Sequence, residues 1–202
     1  MSEPQFIETI RVDNGAFVRS ELHLQRMRRT TSEVFDCTLP IELREELIPD
    51  DRQKGIVKCR ILYGRSFTEM TFVPYVPRQI RSLRLVEADD ALDYHLKYAD
   101  RSVLTHLLER KDGCDEILIV RNGAITDTSY SNVALFDGQK YVTPDTYLLN
   151  GTRRQYLLAK GLLIQRRITP SDLVQFERVV LINAMLGLED DLSVPIGQIR
   201  GL

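Results

Sequence analysis

The run Ile117-Leu118-Ile119-Val120 limits what this chain can fold into more than any other stretch. Successive side chains of a strand point to opposite faces, so four apolar residues in a row demand that both faces be covered. Such a strand belongs inside a sheet with further layers on it. The surrounding sequence supplies them. Residues 100–111 read as a helix opened by Asp100 and closed by Gly113. Asn122-Gly123 and Asp137-Gly138 are turn signals, with short strands at 132–136 and 141–142. Residues 151–163 form a second helix with Asn150 near its cap. Thr169-Pro170-Ser171-Asp172 opens a shorter one, with proline where a helix tolerates it. Another buried strand covers 179–182. The expectation is a mixed sheet with helices packed against it.

The first half is patterned differently. Residues 6–12 alternate and are rich in β-branched side chains, and Asp13-Asn14-Gly15 turns them into a hairpin with 16–18. Ser20 caps a helix running to about Phe35, in which Leu22, Met27 and Val34 mark a buried face and Arg26 lies near that stripe. A short helix at 41–47 is broken by Pro49-Asp50-Asp51. Strands at 55–63, 68–75 and 79–87 follow, the first two joined by Gly64-Arg65-Ser66. Asp89-Asp90 is a polar break. The expected organisation is α/β with two domains: a small α+β domain over residues 1–88 and a larger α/β domain over 89–202.

Charge and cysteine usage exclude several classes. Lys plus Arg number 27 against 29 Asp plus Glu, so no field of one sign invites nucleic acid. Cys37, Cys59 and Cys114 are far apart, with neither zinc spacing nor a disulfide framework, which suits a reducing compartment. The N-terminus lacks a basic-then-apolar signal pattern and no apolar run has the length of a membrane span. A cytoplasmic protein without a membrane partner is expected. No metal is expected, because His95 and His106 lack ligand spacing with carboxylates or cysteines. Phosphate-loop, dinucleotide, nucleophile-elbow and zinc-helix motifs are all missing.

What the sequence does contain is an ordered series: Lys97, then Asp127 and Asn132, then Thr143-Pro144, then Gly151-Thr152-Arg153, with Arg26 upstream. Lys97 lies just before a helix at the domain junction. An amine that bonds an aldehyde has to be neutral, which partial burial favours; alone, such a lysine reads as a solvated side chain. Asp127 supplies a carboxylate able to keep a proton on a pyridine nitrogen, or simply a turn. Asn132 suits the satisfaction of backbone groups. Gly151 at a helix start lets a phosphate approach exposed amides, where the helix dipole favours it. Arg153 and Arg154 add charge there or are surface residues. Arg26 offers a fork for a phosphate or is an ordinary helix-face charge, and His23 one turn earlier either orients it by hydrogen bonding or is a packed structural histidine. Each has a bland reading alone. In this order they are the groups that hold pyridoxal 5'-phosphate.

These residues and their neighbours resemble the class IV aminotransferase family of pyridoxal phosphate enzymes, which includes branched-chain and D-amino acid aminotransferases and aminodeoxychorismate lyases. The resemblance begins at FIETIRVDNG, passes through LHLQRM, and is clearest from HLKYADR through CDEILIVRNGAITDTSYSN and YVTPDTYLLNGTRRQYL to VVLINAMLG. The K-x-x-D-R pattern at 97–101 and NAMLG at 183–187 point to the lyase branch. The resemblance implies fold type IV: a small N-terminal α+β domain, a larger C-terminal mixed-sheet pseudo-barrel, the cofactor in the cleft between them, and a homodimer. It implies that Lys97 forms the Schiff base and shuttles the proton, and that Arg26 binds the phosphate with the backbone amides of Thr152 and Arg153 after Gly151. Asp127 stands where the family places a glutamate against the ring nitrogen. Ala184 stands at a phosphate-site position where relatives often carry a hydroxyl, and Arg153 where many carry threonine. The loop that helps hold substrate in the lyase branch is cut to Tyr63-Gly64-Arg65.

The implied partner is a small-molecule amino substrate, either an amino acid undergoing transamination or aminodeoxychorismate. A lyase proper would release 4-aminobenzoate and pyruvate. The departures at Asp127, Ala184 and the loop keep open a cofactor-binding protein with vestigial activity. Tyr63, Arg65 and Tyr130 are substrate-contact candidates by position.

Overall fold

The computed structural model describes residues 3–201. Contacts gather the chain into two compact units: residues up to Pro77 together with Leu96–Asp100, and Arg78–His95 together with the chain from Arg101 onward. Among the described residues no helix is long and apolar enough to cross a membrane.

In the first unit β1 (Phe6–Asp13) and β2 (Ala16–Phe17) form the expected hairpin. Asn14 (φ 47°) and Gly15 (φ 81°) supply the left-handed pair that its tight turn requires. Helix α1 (Ser20–Phe35) follows, then β3 (Ile56–Tyr63) and β4 (Phe67–Pro74), giving an antiparallel sheet of order β2-β1-β3-β4. Alternation along β1 buries Phe6, Glu8, Ile10 and Val12. They join Met27, Val57, Cys59, Ile61 and Tyr63 in one core. The buried face of α1 keeps only Met27 from the expected Leu22–Met27–Val34 stripe. It carries His23, Arg26, Met27, Thr30, Thr31 and Phe35, and the helix is rotated to bring two charged or titratable side chains inward. The expected helix at 41–47 shrinks to a single turn at Glu45–Leu47, because Leu39, Ile41 and Ile48 are drawn into the core and keep that stretch extended.

The second unit begins with β5 (Leu83–Glu87), which the hairpin-rich sequence before it suggested would belong with β3 and β4. It pairs parallel with β6 (Glu116–Arg121) instead. Between them lies α2 (Ser102–Glu109), the crossover that a parallel pair needs. Then come β7 (Ala124–Ile125), β8 (Asn132–Phe136), β9 (Tyr141–Pro144), α3 (Thr152–Ala159), β10 (Ile164–Arg166), β11 (Arg178–Ile182), β12 (Ser193–Pro195) and β13 (Ile199–Arg200). They form two mixed sheets, β13-β5-β6-β7 and β10-β9-β8-β11-β12. Leu83, Leu118, Val120 and Ile199 of one share a core with Val133, Leu135, Val179, Leu181 and Val194 of the other. The reverse face of the five-stranded sheet, Ala134, Val180 and Ile182, packs with Leu157 of α3. Both faces of β6, β8 and β11 are thus covered, which is why they read as unbroken apolar runs. Helix α3 stops short of residue 163: Gly161 (φ 66°) turns left-handed and the Leu162 amide donates to the Leu157 carbonyl, a Schellman stop.

Candidate active site

The lysine and arginine of the sequence reading both fall in the first unit. Lys97 lies on an irregular segment held alongside β1. The Ile7 amide donates to the Lys97 carbonyl (2.9 Å) and the Ala99 amide to the Gln5 carbonyl (2.8 Å). Phe6 and Tyr98 form an isolated bridge, with ring centroids 5.2 Å apart. Leu96 is buried in the core and Lys97 itself is half-buried. Its backbone is therefore fixed at every second residue by one strand.

Arg26 projects from α1 into the interior, 6% exposed. Its Nε donates to Glu8 Oε2 at 3.0 Å and its Nη2 pairs with Glu8 Oε1. His23 Nδ1 lies 2.8 Å from the same Oε1. Glu8 and His23 are completely buried. Burial by itself would raise the Glu8 carboxyl, but the Arg26 charge and the His23 contact hold it well below the usual carboxylate range. Burial pushes His23 down, against the pull of Glu8, so a neutral ring donates its Nδ1 proton to the carboxylate. Glu8 was not singled out from the sequence. The signal was there: alternation in Phe6-x-Glu8-x-Ile10-x-Val12 puts a carboxylate on an apolar face, and a buried acid needs a partner.

The remaining site residues fall in the second unit. Asp127 follows β7 and is 5% exposed. Oδ1 accepts from Asn132 Nδ2 (2.8 Å), and Oδ2 accepts from the amides of Leu148 and Leu149 (3.0 Å each). Burial raises its carboxyl to about 6, outweighing these three donors and the more remote Arg154. Asn132, at the start of β8, also donates to the Leu149 carbonyl (2.8 Å). Its amide oxygen fills the space beside Gly151, where any Cβ would collide with it. Glycine at the start of α3 is thus demanded by Asn132. One amide ties the buried carboxylate to the helix N-terminus.

The loop after Asp127 is clamped. The Ser129 amide donates to Glu116 Oε1 (3.3 Å) and its carbonyl accepts from Arg101 Nη2 (2.6 Å). Glu116 is fully buried on β6 and also receives Arg78 Nη2 (3.0 Å), whose guanidinium lies over the Tyr130 ring.

Thr152, Arg153 and Arg154 make the first turn of α3, capped by no side chain. The reading of the two arginines as surface residues fails: both are buried. Arg154 donates to the Pro144 carbonyl (2.8 Å) and Gln165 Oε1 (3.0 Å), and stacks on Tyr147. That caging joins α3 to β9 and β10. Arg153 pairs with Glu189, and its guanidinium occupies the space beside Gly187 where a Cβ would stand. Its Nε is buried without a hydrogen-bond partner. Ala184 lies half-buried in a turn in which Asn183 Oδ1 accepts from the amides of Met185 (2.9 Å) and Leu186 (3.1 Å). Of the substrate-contact candidates, Tyr63 is fully buried in the first unit's core and Arg65 is exposed.

These features fit a phosphorylated pyridine. The Asp127 carboxylate has about four lone-pair positions and three donors, which leaves an acceptor place for a ring N–H. The start of α3 offers amides behind a residue with no side chain, next to a buried guanidinium with an unsatisfied N–H.

Comparison with known proteins identifies the family. The amino-transferase class IV family model matches residues 5–189. An uncharacterized protein of Haemophilus influenzae is 36% identical over 189 residues, covering 90% of this chain and 97% of its own. A crystal structure of a candidate 4-amino-4-deoxychorismate lyase from Haemophilus somnus superposes with a TM-score of 0.80 at 32% identity, over 93% of this chain and 99% of that one. A hypothetical aminotransferase from Mycobacterium tuberculosis in its pyridoxal phosphate-bound form shares the fold alone, with a TM-score of 0.70 at 19% identity over 98% and 82% of the two chains. With a family match spanning most of its length, this chain belongs to the class IV aminotransferases, a family of pyridoxal phosphate-dependent enzymes.

Proposed function

We propose that this chain binds pyridoxal 5'-phosphate and acts on the amino group of a small molecule, an amino acid or aminodeoxychorismate. The observation that carries this reading is the buried Asp127 carboxylate joined through Asn132 to the glycine that opens α3. When bound, the cofactor supplies an electron sink for the bonds of the substrate's α-carbon. Asp127 keeps the proton on the ring nitrogen. Its side chain is one methylene shorter than the family's glutamate, and the amides of Leu148 and Leu149 with Asn132 fix it in one orientation. Gly151 and the first-turn amides of Thr152 and Arg153 take the phosphate, with Arg26 as its charged ligand. The turn holding Ala184 contributes backbone alone at a position where a hydroxyl is common. Lys97 supplies the amine that holds the aldehyde, and the same amine accepts and returns the substrate's α-proton.

The lyase reading has a specific support, the 32% identity with a candidate 4-amino-4-deoxychorismate lyase. Its shortened Tyr63-Gly64-Arg65 loop argues for the broader amino-acid reading. The proposal includes a homodimer acting in the cytoplasm, and sedimentation at twice the 23.3 kDa chain mass is the check on the first.

Added pyridoxal phosphate should give the purified protein a visible absorption band. Borohydride should then fix the label on Lys97, located by peptide mass spectrometry, and Lys97→Ala should lose both band and turnover. A protein that stays colourless, or a label elsewhere, overturns the reading. Pyridoxamine phosphate appearing with an amino donor identifies a transaminase. Formation of 4-aminobenzoate identifies the lyase, and a label without either product identifies a vestigial cofactor binder.

A further inference from the structure

Glu8, His23 and Arg26 form a buried ionic cluster inside a small α+β unit, and stability does not explain it. A buried ion pair recovers little more than its desolvation cost, and apolar side chains of similar volume usually serve a core as well or better. The same face of β1 and α1 already offers Phe6, Ile10, Met27 and Phe35 to pack against. Something must require an arginine held charged and fixed at this place.

The geometry says how it is held. Glu8 engages the Nε–Nη2 edge of the guanidinium, and the group is planar, so its Nη1 edge is turned away from the carboxylate. His23 donates to Oε1, the oxygen that Nη2 also uses, and pins the carboxylate from a second direction. Residue 8 is also next to Ile7, whose amide holds the Lys97 carbonyl. One strand therefore sets both the arginine's orientation and the lysine's backbone.

We infer that Glu8 and His23 are positioning residues that aim the Nη1 edge of Arg26 at a phosphate monoester. This rests on the cofactor reading above. The alternative role for Glu8 is simple neutralisation of a buried arginine, and the two roles predict opposite signs. If Glu8 only neutralises, removing its charge frees Arg26 to attract a phosphate more strongly. If Glu8 orients, removing it weakens phosphate recognition although the local charge becomes more positive.

The test compares pyridoxal 5'-phosphate with pyridoxal, which lacks the phosphate. Both are titrated into the full-length protein and followed by visible absorbance. Glu8→Gln should lose about tenfold of the wild-type preference for the phosphorylated form, the scale of one charge-assisted hydrogen bond, while pyridoxal binding stays unchanged. A merely structural role would weaken both ligands alike, and a neutralising role would raise the preference; either result, or no change, overturns the inference. Should Glu8→Gln not fold, the pair His23→Gln and His23→Leu decides. The glutamine keeps a donor for Glu8 and should retain the preference, and the leucine should lose it. Equal preferences in the two overturn the inference. Wild-type protein that binds neither compound refutes the cofactor reading itself. Wild-type preference that survives in Glu8→Gln, or in His23→Leu, refutes only the positioning role.

Discussion

Glu8 in the first unit and Asp127 in the second are both carboxylates removed from water, yet their acidities move in opposite directions. Glu8 faces a guanidinium and an imidazole, and its carboxyl falls well below the usual range. Asp127 faces an amide side chain and two backbone amides, and burial takes its carboxyl up to about 6. Neutral donors stabilise an anion less than a full charge does at the same depth. Burial thus makes an acid sensitive to its partner, and the partner decides the sign. The difference suits the proposed roles. Glu8 has one permanent task, holding a permanent cation. Asp127 has a place left for a cation that arrives with a ligand, and its carboxyl sits high until then.

The largest expected effect comes from taking away the cation. Arg26→Leu strands Glu8 in the core with only a neutral imidazole, and should cost about 3–5 kcal/mol in urea unfolding at neutral pH. The double variant Glu8→Leu/Arg26→Met, with both charges gone, should recover most of that loss. The pH dependence follows from the direction of the shift. A carboxyl lowered on folding contributes stability above its unfolded value, and loses it as pH falls toward the folded one. Wild type should therefore keep this contribution down to the ordinary glutamate range. Arg26→Leu should instead gain stability on mild acidification, as the stranded carboxyl takes up a proton. A loss below about 1 kcal/mol for Arg26→Leu would mean that the two charges do not depend on each other, and the contrast with Asp127 would lose its basis.

The second effect has the opposite sign. Asp127 is raised on folding, from 3.8 to about 6. Its contribution is fully present below the unfolded value and is lost as pH rises through the folded one. Between about pH 4 and pH 6 the cofactor-free protein should lose about 3 kcal/mol from this group. Asp127→Asn should remove that slope from the difference curve of unfolding free energy against pH. It should also leave cofactor bound and slow turnover, since an amide cannot keep a proton on the ring nitrogen. A variant as active as wild type would remove Asp127 from the proposed chemistry. An unchanged pH slope would show that burial does not control its acidity.

The same contrast explains which parts of the molecule were legible in the sequence. The unbroken apolar runs of β6 and β11 announced buried strands, and Asp13-Asn14-Gly15 announced its hairpin, because both signals are local. The placement of β5 was not local. It depends on a parallel partner some thirty residues on, reached through α2, and sequence neighbours carry no record of that. Asp127 and Gly151 could be picked out by residue type and order. The donors of Asp127 could not, since backbone amides of Leu148 and Leu149 are available whatever side chain stands there. Charged residues are exposed by default, and that prior hid the inward face of α1 and the burial of Arg153 and Arg154. Glu8 is the instructive miss, because its place in an alternating strand was readable and only its partners were not.

The smallest expected effect tests the link between Asp127 and the helix start. Gly151 has φ −66° and ψ 142°, which alanine adopts without strain. The three atoms nearest its Cβ would all belong to the Asn132 side chain. Gly151→Ala should therefore cost about 1–2 kcal/mol, the scale of overpacking, with Asn132 as the neighbour that has to give. Asn132→Ala should cost a similar amount by removing a donor from Asp127, and should push that carboxyl further up. In the double variant the methyl group added by Gly151→Ala has room, so the two losses should fall short of adding by about 1 kcal/mol in thermal unfolding. Full additivity would mean that Gly151 is needed for something other than Asn132. The buried carboxylate would then be independent of the helix that is proposed to receive the phosphate, and the two halves of the proposed cofactor site would be uncoupled.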